Sequence, residues 1–480
     1  MNQQYHNPYH EISCEDGTSV GFHKETDFLL LAVTQLSVSA THLVKLSFEL
    51  LQHICGPSLS LFKFSKAHSE MATLLLEKYF HLRHSKQSVL TETLHYLKIP
   101  EDSNLTILNT LKQSSNFLQS NSNISSSRLH ILILQDSSIV GIYSGKGSSE
   151  LGSNDIFFLI LVAEAFSTSQ LSINNYIIIL ESCVPYTIHL KKLKNGQCIL
   201  ILVETKLRKI ALNFQQVLKM IKNPEDSVAL RQEIKTLQKM AIKLNHEKWS
   251  ETIVWRENIT SNEAAMSALC RRLLTGFEKI CLDPALLFVA TNPLLSVIEH
   301  VETQMMNLSI LLPSEHCSLL QSYPGLVHFV LVDRKNHRLI GPNLPPLHRD
   351  SSLDSVWEMF QTSLEWLHEG RSELLWNDKH FVYSHFLWVE DSNGKKIPWK
   401  STWNTQMGLL GYPGIVGTSF YKKLLQLADS DMSEENLHYF QLFCVHLELT
   451  SSATVLEQCQ QLTQHLKGQF FQTSIFEGLL

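Results

Sequence analysis

The chain has 480 residues, 44% hydrophobic and 18% charged, the balance of a folded protein rather than a disordered one, with room for about three domains. Forty Lys and Arg against 46 Asp and Glu give a net charge of −6, which argues against a chain whose main task is to follow nucleic-acid phosphates. The longest apolar runs, Phe28–Val33, Ile156–Ala163 and Cys198–Val203, fall far short of the ~20 residues that cross a bilayer. The opening MNQQYHNPYH lacks both the basic and the apolar part of a secretory signal. A soluble, intracellular, multi-domain protein is expected.

The first region, residues 1–115, opens with a short alternating stretch around Ile12 to Phe22. The run Phe28–Val33 follows and reads as a buried strand. Leu43, Leu46, Leu50 and Ile54 recur at helical spacing up to Gly56-Pro57. Two more amphipathic helices are expected at Ala67–His81 and Ser85–Leu97. The Ser/Asn-rich stretch Gln113–Ser127 has no period, and residues 116–127 read as a polar linker.

Residues 128–244 form the second expected domain. Leu129–Asp136 and Ile139–Ser144 flank Ser137-Ser138 as a hairpin, and an almost wholly apolar helix runs from Ser153 to about Phe166. Such a helix either fills a sheet face or meets a second subunit. Strands are expected at Tyr176–Glu181, Tyr186–Lys191 and Gln197–Glu204, with Asn195-Gly196 turning between the last two. Helices at Leu212–Ile221 and Val228–Leu244 complete a β-β-α-β-β-β-α order, for which an antiparallel sheet flanked by helices is the economical packing.

Residues 245–320 read as a helical connector broken at Pro284, Pro293 and Pro313. The third domain, residues 321–480, repeats the theme. Strands at Gly325–Asp333 and Arg338–Gly341 straddle the turn Arg334–His337. A helix carrying Val356, Trp357, Phe360, Leu364 and Leu367 follows, then strands at His380–Val389 and near Gly414–Val416. Helices are expected at Thr418–Leu427, Ser433–Leu447 and Ser452–Leu466, with Ser433 and Ser452 as caps.

Motifs that carry chemistry are scarce. Gly145–Gly152 sits between a strand and a helix, but its spacing matches neither common phosphate loop, so a turn and helix cap is the preferred reading. The 23 histidines give only His81/His84 and His6/His10 as near approaches to metal spacing; His246-Glu247 and His368-Glu369 lack a second His. The nine cysteines, Cys14, Cys55, Cys183, Cys198, Cys270, Cys281, Cys317, Cys444 and Cys459, form no C-x-x-C pair and read as structural thiols of a reducing compartment. The sequons at Asn104, Asn123, Asn258 and Asn307 are chance matches without a secretory route. Gly417-Thr-Ser419 is a helix start rather than a nucleophile elbow. Asp333 and Glu390-Asp391 end strands, where an acid marks exit into solvent. Trp357, Phe360 and Trp366 fit core packing, whereas Trp388, Trp399 and Trp403 are either core residues or anchors for a partner. No catalytic, cofactor-binding or metal residues are expected, and partner-binding residues are not specified by spacing.

The segment Tyr323–Asp333 with Leu339–Pro342, Tyr383–Glu390 and Gly417–Leu425 resembles the third longin domain of the Hermansky–Pudlak syndrome type-one family. Leu129–Tyr143 with Asp155–Phe166 resembles that family's second longin domain, and residues 8–62 the latter half of its first. The resemblance implies an α/β (α+β) chain of repeated longin-like domains, each an antiparallel five-stranded sheet flanked by helices. It also implies pairing with the Hermansky–Pudlak syndrome type-four protein in biogenesis of lysosome-related organelles complex three. That heterodimer is a guanine-nucleotide exchange factor for Rab GTPases thirty-two and thirty-eight, serving melanosomes and platelet dense granules. By the same resemblance the protein is cytoplasmic, partly peripheral on organelle membranes, and has no cofactor. It is a regulatory subunit rather than an enzyme with a catalytic side-chain set. On this comparison the chain enters its first longin domain near the third strand, and the polar insert of the second is short. In related exchange factors the first domains form the GTPase-binding surface, so two readings stand: an exchange-factor subunit, and a non-catalytic scaffold that binds the partner or a Rab.

Overall fold

The computed structural model describes residues 11–472 apart from 26–27, 36–39, 57–58, 60–61, 63–64, 98, 121–127, 149–150, 168–173, 181–182, 223–226, 245–250, 252–262, 282–290, 307, 309–314, 343–350, 401–402, 407–409, 411–419 and 429–432. Its strands form three sheets joined and covered by helices.

The first sheet is the antiparallel meander β1 (Glu11–Ser13), β2 (Ser19–Glu25) and β3 (Phe28–Thr34). Helix α1 (Ala40–Cys55) lies on one side of it. The approach is close because residue 21 is glycine: a Cβ there would sit 2.4 Å from the Ala40 carbonyl carbon. Phe28–Val33 is a strand as expected, yet it is buried on one face only. Phe28, Leu30 and Ala32 turn inward, while Leu29, Leu31 and Val33 are 59%, 61% and 68% exposed. The run reads as continuous because both faces are apolar, not because both are covered.

After α2 (Lys66–Arg83), opened by the Ser65 hydroxyl bonding the His68 amide, the expected helix Ser85–Leu97 is reduced to one turn, α3 (Gln87–Leu90). The chain then extends as β4 (Leu94–His95), whose pairing is with the distant segment Arg338–Leu339. Where a linker is expected, α4 (Glu101–Ser120) continues to Ser120, and residues 121–127 lie outside the described set. Its buried face carries Ile107, Thr110, Leu111, Ser114, Ser115 and Leu118, so small polar residues supply the helical stripe that a hydrophobic count overlooks.

The second sheet has β5 (Leu129–Gln135), β6 (Ser138–Ser144), β7 (Asn174–Ile179), β8 (Pro185–Lys192) and β9 (Cys198–Glu204) in the order β6-β5-β9-β8-β7, all antiparallel. Gly196, at φ +85°, turns β8 into β9. Helix α5 (Ser153–Ser167) covers one face, meeting Leu132, Leu200 and Leu202. The other face, Ile131, Ile133, Ile199 and Ile201, meets α4 and a connector helix, α9 (Thr291–Met306). The apolar body of α5 is thus consumed internally, between this sheet and α1 and α2. Helices α6 (Arg208–Lys222), α7 (Ser227–Lys243) and α8 (Glu263–Cys281) pack on one another, with Phe214 stacked on Phe277 at 4.2 Å. Pro293 does not break α9; it occupies the first turn, where its missing N–H has no intrahelical partner to lose.

The third unit follows α10 (Glu315–Ser322). Its strands are β10 (Leu326–Asp333), β11 (Arg338–Ile340), β12 (Glu373–Asn377), β13 (Phe381–Asp391), the short β14 (Lys396–Ile397) and β15 (Leu437–Leu447). Segment 433–447, expected to be a helix, is instead strand β15, running between β10 and β13. A central strand buried on both faces has no polar alternation, and Leu437, Phe440, Cys444 and Leu447 happen to fall at helical spacing. Strand β12, which the sequence reading missed, is half-exposed at the sheet edge. The strand near Gly414–Val416 lies outside the described residues. Helix α11 (Ser351–His368) covers the face bearing Phe443 and Val445, and α14 (Ser452–Gln472) covers Phe440, Leu442 and Cys444. The cap of α14 is Ser451, whose hydroxyl accepts from Thr454 N at 3.2 Å, one residue before the expected Ser452. Two short helices, α12 (Trp403–Gln406) and α13 (Phe420–Leu424), share an apolar cluster with Leu387, Val389, Leu437 and Tyr439 of the sheet.

With β15 a strand, the third unit has the order β11-β10-β15-β13-β12, extended by β4. Numbered within each unit, both sheets read 2-1-5-4-3. The first sheet matches strands 3-4-5 of that pattern, with α1 in the place of the helix after strand 5. Repeated longin-like domains, mixed α/β with antiparallel sheets flanked by helices, describe the chain.

Candidate interaction surfaces

The first and third units meet at a buried polar cluster. The guanidinium of Arg334, in the β10–β11 turn, is fully buried. Its Nε donates to Gln441 Oε1 at 2.7 Å, and Nη1 donates to the Thr91 carbonyl at 2.8 Å. The same group lies over the Tyr421 ring, 4.4 Å from its centre, and the Tyr421 hydroxyl also donates to Gln441 Oε1. Gln441 passes the polarity on: its amide donates to His385 Nε2 at 2.7 Å. Burial first, then the Arg334 charge, pushes the His385 pKa down to about 3, so the ring is a neutral acceptor at physiological pH. Glu92 is buried in a left-handed conformation, φ +49°, and meets His42 of α1 at 3.1 Å. Burial lowers the Arg334 pKa, and the Glu92 carboxylate works against that desolvation.

Residues Leu94–Leu97 join the second and third sheets. Leu94 and His95 pair in parallel with Arg338 and Leu339 of β11, and Leu94 N donates to His337 O at 2.7 Å. Two residues on, Tyr96 bridges to Ile139 of β6, Leu97 N donates to Ile139 O at 2.9 Å, and His95 Nδ1 meets Ser138 Oγ at 2.8 Å. One strand thereby closes one edge of each sheet. Helix α1 is fixed to the second unit by His53, stacked on Phe158, with Nε2 3.2 Å from Asp155 Oδ1. Gln87 locks α3 to the third unit, accepting from His328 Nε2 at 3.0 Å and donating to Pro342 O.

Among the described residues, parts of two sheets stay exposed. Strand β12 ends the third sheet, with Leu375 38% exposed. The first sheet presents a larger feature. Antiparallel register sets Ile12 opposite Val20, Val20 opposite Val33, and Phe22 opposite Leu31, which places these residues and Leu29 on the side away from α1.

Residues singled out in the sequence fall mostly into structural roles. Of the Gly145–Gly152 loop, Gly145–Ser148 form a turn, with Ser148 N donating to Gly145 O; Ser148 Oγ accepts from Leu129 N, Gly145 N donates to Leu129 O, and residues 149–150 lie outside the described set. Asp333 and Glu390 do not mark solvent exits. Asp333 is buried and caps the Arg334–His337 turn through the amides of Lys335 and Asn336; Glu390 accepts from Trp388 Nε1 and pairs with Lys467. Trp388 and Trp403 are buried, and Trp403 stacks on Trp399 at 4.0 Å while donating to Gly370 O. Trp357 packs on Phe360 and Trp366 on Trp376, both edge to face. His6, His10, His246, Glu247 and the segment 417–419 lie outside the described residues, among which no group of three His, Cys, Asp or Glu is placed to hold a metal. No described helix is long and apolar enough to cross a membrane. Sequence reading missed Arg334, Glu92 and Gln441 because their partners lie up to 243 positions away.

Residues 325–469 match the family model described as the third longin domain of FUZ, MON1 and HPS1. The matched span runs from the start of β10 into α14 and takes in the strand 2-1-5-4-3 order of the third sheet. The third unit is thus a longin domain of the kind shared by those three proteins, and the chain has the coarse character of a trafficking regulator.

Proposed function

We propose that the chain is a subunit of a heterodimeric guanine-nucleotide exchange factor that activates Rab GTPases for lysosome-related organelle biogenesis. The observation that supports this reading is the match of residues 325–469 to a longin domain of FUZ, MON1 and HPS1, joined to a second unit of the same strand order. The sequence resemblance names the partner as the Hermansky–Pudlak syndrome type-four protein and the targets as Rab GTPases thirty-two and thirty-eight. Exchange of this kind asks for no proton-transfer group. A surface that binds the nucleotide-free GTPase more tightly than the loaded form shifts the equilibrium toward release by its differential affinity. Rigidly joined longin units serve such a task, because a surface that holds one conformation of a switch must itself hold still.

The partner is tested by co-expression with the type-four protein and light scattering on the purified material. A one-to-one complex is expected, and two chains that elute separately contradict the reading. The second reading, a scaffold that binds without accelerating release, is favoured by the exposed apolar residues Leu29, Leu31 and Val33 of the first sheet, which offer a binding surface and no exchange chemistry. Release of labelled GDP separates the two.

A further inference from the structure

Three residues from three elements of the third unit converge beneath α14. Ser384 of β13 stands opposite Cys444 of β15 in the antiparallel register. Cys459 lies on the buried stripe of α14 with Val455, Leu462 and Leu466, and its Sγ is 3.5 Å from Ser384 Oγ. The Cys444 and Cys459 thiols hydrogen-bond one another. Ser384 and Cys444 are fully buried, and Cys459 is 4% exposed.

This contact gives the two thiols different characters. The hydrogen bond from Cys444, acting against burial and helped by Ser384, holds the Cys459 thiol below its ordinary range. Burial first, then the bond to Cys459, pushes the Cys444 thiol well up. Cys459 is thus the sulfur that becomes a thiolate, the nucleophilic form, while Cys444 keeps its proton. Thiols that only fill space have no such division: burial, with the Glu278 charge adding to it, pushes both Cys55 and Cys281 up.

We infer that Cys444 and Cys459 are a redox-active pair, which a hydroperoxide closes into a disulfide that fastens α14 to the central strand β15. The Cys459 thiolate attacks one peroxide oxygen, the O–O bond breaks, and the departing hydroxide takes up a proton as water. Cys459 is left as a sulfenic acid. The Cys444 sulfur then attacks the Cys459 sulfur, the S–O bond breaks, and the hydroxyl leaves as water with the Cys444 proton. In sum two thiols give up two electrons, the peroxide accepts them, and two waters form. Hydrogen peroxide is small enough to reach a sulfur as enclosed as Cys459, whereas a bulky disulfide such as oxidised glutathione fits poorly at that position. In a reducing compartment the bond is transient, reopened by thiol–disulfide exchange, so it acts as a switch on α14 rather than a permanent staple.

The test uses the full chain, purified reduced, treated with hydrogen peroxide and quenched with an alkylating agent. Non-reducing digestion and mass spectrometry are expected to show the link between Cys444 and Cys459 as the first disulfide formed, and dithiothreitol is expected to reverse it. Amide exchange in α14 around Cys459 then slows at least about tenfold, while exchange in the second sheet is unchanged. Cys444→Ala is expected to stop at a Cys459 sulfenic acid that dimedone traps, and Cys459→Ala to leave Cys444 unmodified. The link in the parent chain is read without either variant, so a variant that misfolds does not decide the outcome. A parent chain that forms no such link, or forms another disulfide first, overturns the inference. So does sulfenic acid on Cys444 in a folded Cys459→Ala variant, or a link that leaves exchange in α14 where it was.

Discussion

Arg334 Nη1 donates to the carbonyl of Thr91 across 243 positions of sequence, 2.8 Å away in a fully buried setting. The bond ties the β10–β11 turn of the third unit to the segment between α3 and β4, and Glu92 carries the contact on to His42 of the first unit. A buried cation with specific acceptors is strongly destabilising to break, because the partners are left unpaired in a medium that cannot solvate them.

Replacing Arg334 with Ala is therefore expected to destabilise the chain by about 3–5 kcal/mol. Arg334→Lys is expected to recover only part of the loss, since an ammonium cannot reach Gln441 and Thr91 in the planar geometry of the guanidinium. Thermal and urea unfolding of the two variants check this; a variant as stable as the parent contradicts the role given to the cluster.

The buried histidines predict acid sensitivity. Burial pulls the pKa values of His130, His189 and His328 down to about 4 and that of His385 to about 3. Each folded-state pKa lies below the unfolded one, so the unfolded chain binds the extra proton. Stability from these groups is fully present above about pH 6.5 and falls as pH drops toward 4, by roughly 2 kcal/mol per histidine at pH 5. The melting temperature followed from pH 7.5 to 4.5 is expected to decline through that window. Substituting His328 with Gln should flatten the slope by one group's share.

Gly21→Ala tests the seat of α1 on the first sheet. The new Cβ meets backbone at 2.4 Å, the Ala40 carbonyl carbon, and a backbone atom cannot swing aside as a long side chain does. A loss of about 1–3 kcal/mol is expected, together with faster hydrogen exchange in β2 and the first turn of α1. Unchanged exchange there contradicts the close approach.

Leu94→Pro removes the amide that donates to His337 O. The second and third sheets then lose one of the bonds that hold Leu94–Leu97 between β11 and β6. Limited proteolysis is expected to cut between α3 and α4 at protease concentrations that leave the parent intact.

What the sequence disclosed and what it hid divide along physical lines. The hairpin from Leu129, the helix from Ser153 and the turn at Gly196 were legible because period and turn chemistry are local signals. The strand Leu437–Leu447 was not, since a strand enclosed on both faces carries no alternation and its apolar residues mimic a helix. Likewise Leu94–His95 is a two-residue strand whose identity comes from β11, far along the chain. The interaction surfaces were the least legible part. Leu29, Leu31 and Val33 have the composition of core residues, and only the folded register with β2 shows that they share one exposed face.

The claim that this chain belongs to an exchange factor is tested most directly by the release of labelled GDP from Rab GTPases thirty-two and thirty-eight. The chain is purified together with the type-four protein, and excess unlabelled nucleotide is added to start the reaction. Release well above the intrinsic rate is expected with the complex, and the intrinsic rate with either chain alone. Intrinsic-rate release from a stable, monodisperse complex contradicts it, and leaves a scaffold that binds without exchange.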